Sequence, residues 1–238
     1  TVTYHGDNPK VKLQIKYVPD EETVYTYNLQ AGQSDVFLFS RGDGEYQITV
    51  NENIEGNRYS QAFAGTCQVA LKDQLTPFLY PNQYVKFTED SQAVGESQKL
   101  VQSAGDDLEA IAAIYNYVIG NIQYDFDKAA SVQSGYLPDI DETLNTKKGI
   151  CFDYAALMTA MLRVQRIPTK LVVGYTGNLY HAWINVYLEG QGWVDNIIYF
   201  DGTSWKLMDP TFASSGNQSQ EIMQYIGNGA NYQAKYSY

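Results

Sequence analysis

The hydrophobic pattern of this chain changes period once, and the change calls for two folded parts of different kind. From Val11 to about Leu71 apolar residues recur at alternate positions. Val11, Leu13, Ile15 and Tyr17 share one face, then Tyr25, Tyr27 and Leu29, then Val36 and Leu38, then Tyr46, Ile48 and Val50. A period of two is that of half-buried strands. Turn residues at Pro19-Asp20, Ala31-Gly32, Gly42-Asp43-Gly44 and Glu55-Gly56-Asn57 break the pattern about every dozen residues, the spacing of hairpins in a sandwich. Residues 1–75 therefore read as a small antiparallel β-sandwich domain. Arg41-Gly42-Asp43 has the form of an integrin-binding tripeptide, but glycine and aspartate are what a tight turn requires in any case.

Residues 76–98 read as a linker, because Pro77 and Pro81 disfavour both helix and central strand. Beyond it the period becomes helical. Leu108, Ile111, Ile114, Tyr115, Val118 and Ile122 form one apolar stripe, preceded by Asp106, Asp107 and Glu109, acids that suit a helix N-terminus. Residues 121–148 are polar, carry Gly135 and Pro138, and read as a long, partly ordered, substrate-facing loop. A second helix is expected over 151–164, buried through Ala155, Leu157, Met158, Met161 and Leu162. Strands follow over 170–175, 181–188, 193–198 and 205–208, with 196–204 as an inserted hairpin. The tail from Ser214 is polar and offers one short helix at most, around Ile222, Met223 and Ile226. Residues 99–238 thus form a second domain of α+β order, helices first and then a meander of strands.

Composition removes several functions. Sixteen basic against 27 acidic side chains leave a formal charge of −11, which repels nucleic acid and anionic lipid. No apolar run approaches the ~20 residues of a membrane span. The N-terminus lacks the basic and apolar regions of a signal peptide, as a mature chain does once its export signal is gone. With 21 tyrosines and few lysines, the expected location is extracytoplasmic, at the surface of a bacterium or secreted. The two cysteines and two histidines are too far apart for zinc-ligand spacing, and no phosphate loop or dinucleotide fingerprint is present. Asp125 with Asp127, and Asp139 with Asp141, read as solvated acids rather than a calcium site. No metal or other cofactor is required.

Scarcity sharpens what remains. Gly149-Ile150-Cys151 places a thiol at a helix start, where unpaired N–H groups and the dipole favour the thiolate and can hold an oxyanion. A Cys67–Cys151 bridge would consume that nucleophile; Cys67 reads instead as a strand residue, buried or half-buried. His181 opens a strand whose Ala182, Ile184, Val186 and Leu188 alternate inward, so it points away from the main core, free to act as general base and acid. Asp209 follows after a further hairpin and is placed to fix the imidazole tautomer. Taken singly, these residues read as a core cysteine, a hydrogen-bonded strand histidine and a turn aspartate. In this order they make a nucleophilic triad.

Gly149-Ile150-Cys151-Phe152-Asp153-Tyr154-Ala155, His181-Ala182-Trp183 and Leu207-Met208-Asp209-Pro210-Thr211 resemble the three core motifs of the bacterial transglutaminase-like superfamily, relatives of papain-type cysteine enzymes. The resemblance covers about residues 100–213 and implies a papain-like α+β core with Cys151, His181 and Asp209 as its triad. Asp195, in Trp193-Val194-Asp195, competes for the acidic position at the histidine-to-acid spacing of many members, but the Met-Asp-Pro-Thr context favours Asp209. Tyr124 and Trp183 are candidates for lining the cleft, and Asp153 reads as a helix-start acid. The expected activity is acyl transfer from a peptide or side-chain amide through a thioester on Cys151, by a peptidase, amidase or transglutaminase. The expected partner is a peptide or protein substrate, with a cell-wall peptide among the candidates. The competing reading is a binding or structural module with a vestigial triad. Nothing in the residues fixes an oligomeric state.

Overall fold

Alternation in the first part of the chain is realised as paired strands. The structure is a computed structural model that describes residues 1–20, 22–195 and 231–238, with the backbone of 198–200 and 205–207. Two units emerge, Thr1–Pro77 and Phe78–Tyr238. In the first, β1 (Val2–Thr3), β2 (Val11–Tyr17), β3 (Val24–Leu29), β4 (Ser34–Asp35), β5 (Gly44–Glu55) and β6 (Arg58–Val69) follow one another. An antiparallel sheet runs in the order β3-β2-β5-β6, and β1 pairs with β4. Val11 lies opposite Leu29, Leu13 opposite Tyr27 and Ile15 opposite Tyr25. One face is thereby apolar, and all six residues are buried with Tyr46.

The Val36–Leu38 pair does not form a strand. Side-chain packing takes precedence there, with Phe37 on Tyr27 at 4.9 Å and Phe39 on Tyr46 at 4.6 Å between ring centres. The Arg41-Gly42-Asp43 turn is structural. Gly42 has a φ of 89°, its carbonyl accepts from the Tyr46 hydroxyl at 2.7 Å, and the Asp43 carboxylate accepts from the N–H of Leu71 at 2.7 Å. Cys67 lies in β6 opposite Tyr46 as a free, half-buried thiol, and Cys151 is also free, so the two form no disulfide.

The second unit begins earlier than its periodicity suggests. The last residues of the expected linker, 92–98, belong to α1 (Gln92–Leu100). Its first N–H groups, on Gln92 and Ala93, donate to the Asp141 carboxylate at 3.0 and 3.1 Å, so a remote side chain supplies the cap. Helix α2 (Asp107–Asn121) matches the apolar stripe, capped by Asp106 and burying Ile111, Ile114, Tyr115 and Val118. The expected loop is more ordered than its composition indicates. It contains β7 (Gln123–Tyr124), α3 (Phe126–Ser131), α4 (Ile140–Thr146) and β8 (Lys148–Gly149). Asp125 and Asp139 cap the two helices, and β7 pairs in parallel with β8.

At the centre lies α5 (Cys151–Val164), in which every residue from Asp153 to Arg163 is buried. A helix apolar on all sides belongs in the middle of a domain. Helices α1, α2 and α4 pack on it, as do β9 (Thr169–Thr176) and β10 (Leu179–Leu188). These two strands are the middle of a sheet ordered β11-β10-β9-β14, with β11 (Gly192–Val194) and β14 (Tyr232–Ser237) at its edges. The inserted hairpin is present as β12 (Ile198–Phe200) paired with β13 (Trp205–Leu207). The tail departs from expectation, since 232–237 are a strand; Ile222, Met223 and Ile226 lie outside the described residues. Gly174 explains how β14 fits. A Cβ there would stand 2.0 Å from the Gln233 carbonyl oxygen, so only glycine lets the strand approach.

Arg163 ties the base of this unit together. Its buried guanidinium donates to the carbonyls of Thr169 at 2.8 Å and of Tyr80 and Tyr238 at 2.7 Å. Burial pushes its pKa down, and the carbonyls stabilise the cation in place of water.

Candidate active site

Cys151 is placed by its neighbours on either side. Gly149 must lack a side chain, because a Cβ would lie 2.8 Å from that of Asp153. Ile150 is extended, with φ −94° and ψ 175°, and its carbonyl accepts the N–H of Tyr154 at 3.1 Å. Its own N–H donates to Asp153 Oδ2 at 2.8 Å. Cys151 is therefore the first helical residue, where the N–H groups of the opening turn have no carbonyl of their own helix to bond. The thiol is free and half-buried. At the other end of the turn, the Tyr154 hydroxyl donates to the carbonyl of Ile122 at 2.7 Å, locking α5 to the exit of α2.

Asp153 carries a network that the sequence does not announce. Its carboxylate has no exposed surface and accepts three hydrogen bonds: from Ile150, from the Tyr136 hydroxyl at 2.5 Å, and from Lys128 Nζ at 2.8 Å. Burial works against the Lys128 ammonium, but its hydrogen bonds to Asp153 and Tyr136 outweigh that and raise its pKa above the usual lysine value. Tyr136 is pushed up to about 12, first by burial and then by its bond to the carboxylate. An acid at the third position of the helix is legible as a cap. Lys128 and Tyr136 come from the long loop, and nothing in their local pattern marks them.

Strand β10 brings the next candidate to the same end of α5. Tyr180, although more than half exposed, is pushed up to about 12 by partial desolvation first, then by electrostatic interaction with the ionisable groups of Tyr236, Tyr175, Tyr84 and Cys151. The thiol thus lies within electrostatic reach of the residue before His181. Aromatic rings collect here: Phe152 is 5.9 Å from Tyr84, Tyr84 is 4.1 Å from Tyr238, and Tyr175 is 5.4 Å from Tyr180.

His181 does not point away from the core as alternation suggests. Both faces of β10 are covered, and His181, Trp183 and Asn185 are buried along with Ala182, Ile184 and Val186. His181 lies opposite Gly174. Its ring is stacked on that of Trp183 at 6.3 Å and lies 6.5 Å from Tyr232, which closes over Trp183 at 5.2 Å. Strand β14 therefore furnishes the wall beside the histidine. Trp183 is 2% exposed and forms part of that wall. Tyr124 is half-buried in β7, opposite Gly149 and with its ring 4.9 Å from Phe126.

The two candidate acids differ in what can be seen of them. The Asp195 carboxylate accepts from Asn185 Nδ2 at 2.8 Å. Asn185 is four residues along β10 from His181, a distance of about 13 Å at the usual rise of a strand. Asp209 lies outside the described residues. Among the described residues no group of three or more His, Cys, Asp or Glu side chains is placed to hold a metal ion, and no helix is long and apolar enough to cross a membrane.

Comparison with known proteins places this geometry. Residues 96–196, which include Cys151 and His181, match the sequence profile of the Transglutaminase-like superfamily. Kyphoscoliosis peptidase of Mus musculus is 32% identical over 127 residues, 48% of this chain and 17% of the relative. The protein YebA of Bacillus subtilis (strain 168) is 21% identical over 207 residues, 78% of this chain and 26% of that protein. The chain thus spans less than a third of the length of either curated relative. The solved periplasmic domain of TgpA from Pseudomonas aeruginosa superposes with a TM-score of 0.45 at 15% identity, covering 93% of this chain and 92% of that one. The matched segment, in which a helix that begins with a free cysteine packs on the strand carrying the histidine, is thus similar to the transglutaminase-like superfamily.

Proposed function

We propose that the chain is a cysteine-dependent acyl-transfer enzyme in which Cys151 is the nucleophile, His181 the general base and acid, and Asp209 the residue that orients the imidazole. The observation that carries this reading is the free thiol at the first position of α5, beside the strand that bears the single histidine of this unit. His181 takes the thiol proton and the thiolate adds to an amide carbonyl, forming a C–S bond. The first-turn N–H groups receive the developing oxyanion. Collapse breaks the C–N bond, and His181 returns the proton to the departing amine. A thioester remains on Cys151. Trp183 and Tyr124 are assigned to shielding the pair and bordering the cleft.

The acceptor we assign is water, with a peptide or cell-wall amide as substrate, in an extracytoplasmic bacterial setting. A half-buried thiol supports this choice, because amine transfer needs a cleft that excludes water. Iodoacetamide labelling across pH, followed by intact mass, tests the nucleophile. Cys151 is expected to react rapidly well below pH 8 and Cys67 slowly. Reaction of Cys151 at an ordinary thiol rate in a folded sample overturns the enzyme reading and leaves a module with a vestigial triad. Turnover of peptide amides with and without an added primary amine then separates hydrolysis from transfer.

A further inference from the structure

The ion pair between Lys128 and Asp153 stands beside the candidate nucleophile, yet the acyl-transfer steps make no use of it. Capping a helix start takes only an acceptor for an N–H, and an exposed Ser or Asp serves. Here the acceptor is fully buried, and a buried charge whose partner is missing is strongly destabilising. The fold supplies the partner from a different helix, α3, and adds the Tyr136 hydroxyl from the loop beyond it. Lys128 also lies over the Tyr136 ring, 4.6 Å from its centre, so each of the three groups is held by the other two. The position matters because Asp153 is two residues after Cys151. An uncompensated carboxylate there would oppose a thiolate and cancel the field of the helix N-terminus.

We propose that Lys128, braced by Tyr136, is a positioning residue for Cys151: its ammonium neutralises Asp153, so the thiolate forms in the field of the helix N-terminus rather than against a carboxylate. The proposal rests on the acyl-transfer reading for its purpose, but its measurement does not. Other titratable groups around the thiol are Tyr180 and His181 on β10, with Tyr84 and Tyr236 beside Tyr180. The charges on the remaining elements packed against α5 are engaged elsewhere or, like Asp107 and Glu142, exposed. Glu96 pairs with Lys99, Glu109 accepts from Gly105, Asp141 caps α1, Lys148 is exposed and Lys170 lies over Trp193. All of them are unchanged in the variants below.

The test is the alkylation rate of Cys151 by iodoacetamide as a function of pH, in a Cys67→Ala background so that one thiol reports. Relative to that background, Lys128→Met is expected to move the midpoint of the profile up by about one pH unit, and Asp153→Asn down by about one. The double variant Lys128→Met/Asp153→Asn is expected to return within a few tenths of a unit. A purely structural role would shift both single variants in the same direction or neither, and either result overturns the proposal. If Lys128→Met does not fold, Asp153→Asn is compared with the double variant, since these differ only in the ammonium. The single variant should then have the lower midpoint by about one unit, and equal midpoints overturn the proposal. An ordinary-thiol profile in the parent protein counts against the acyl-transfer reading alone, because the opposite-signed shifts remain measurable.

Discussion

Asn185 donates to Asp195 across the β10–β11 pair at 2.8 Å, which commits that carboxylate to a site four residues from His181. A side chain so placed cannot touch the imidazole. Asp195→Ala is therefore expected to keep most of the activity toward a peptide amide. Asp209→Ala, folded by circular dichroism, should lose roughly a thousandfold or more in kcat, the scale of a triad member. An active Asp209→Ala beside an inactive, folded Asp195→Ala would reverse the assignment.

Gly174 sets the fit of the edge strand. Gly174→Ala places a methyl 2.0 Å from the Gln233 carbonyl oxygen, and backbone on a paired strand cannot yield without loss of hydrogen bonds. The expected loss is roughly 1–3 kcal/mol in urea unfolding, accompanied by faster proteolysis within 231–238. Unchanged stability and protection would show that β14 is not held at this point.

Arg163 joins three backbone carbonyls, two of them buried with it and that of Tyr80 partly buried. Arg163→Met removes every donor at once, and about 2–4 kcal/mol of stability is expected to go with them. Arg163→Lys should recover only part, because an ammonium cannot span all three carbonyls in the plane of a guanidinium. Equal stability of the lysine variant and the parent, measured by thermal unfolding, would refute the geometric role.

The Asp153 network also predicts behaviour at alkaline pH. Lys128 and Tyr136 both have raised pKa values when folded, Tyr136 to about 12. Above the ordinary lysine and tyrosine values of about 10 the unfolded chain releases these protons while the folded chain keeps them. The stabilisation from this pair should therefore be fully present, and independent of pH, near neutrality and be lost as pH rises from about 10 toward 12. Tyr136→Phe is expected to make the fall shallower in pH-jump unfolding, and an identical slope would remove Tyr136 from the linkage.

How much of this was legible depended on whether the determining contact lay nearby in sequence. The stripe from Leu108 to Ile122 and its Asp106 cap are local, and α2 appears where they indicate. The register of β2 and β3 follows from alternation of Val11, Leu13 and Ile15 against Tyr25, Tyr27 and Leu29. Helix α1 was invisible because its cap is Asp141, a residue 49 positions away from Gln92. β14 was invisible because its partner is the edge of β9 and its fit depends on Gly174. At the site, Cys151 and the helix that starts with it could be read directly, whereas the burial of His181 could not, since Tyr232 closes that side from the far end of the chain.

That late-arriving strand gives synthesis an order. Cys151 and His181 leave the ribosome well before Tyr232, and until 232–237 pair with β9 the histidine lacks its outer wall. The strands of the first unit pair with one another, through the β2–β3 and β5–β6 hairpins and the longer-range β2–β5 and β1–β4 pairs, and all of them precede Cys151. A nascent chain thus carries a finished first unit and an unfinished thiol site, and the cysteine acquires its full surroundings only after the polypeptide around it is complete.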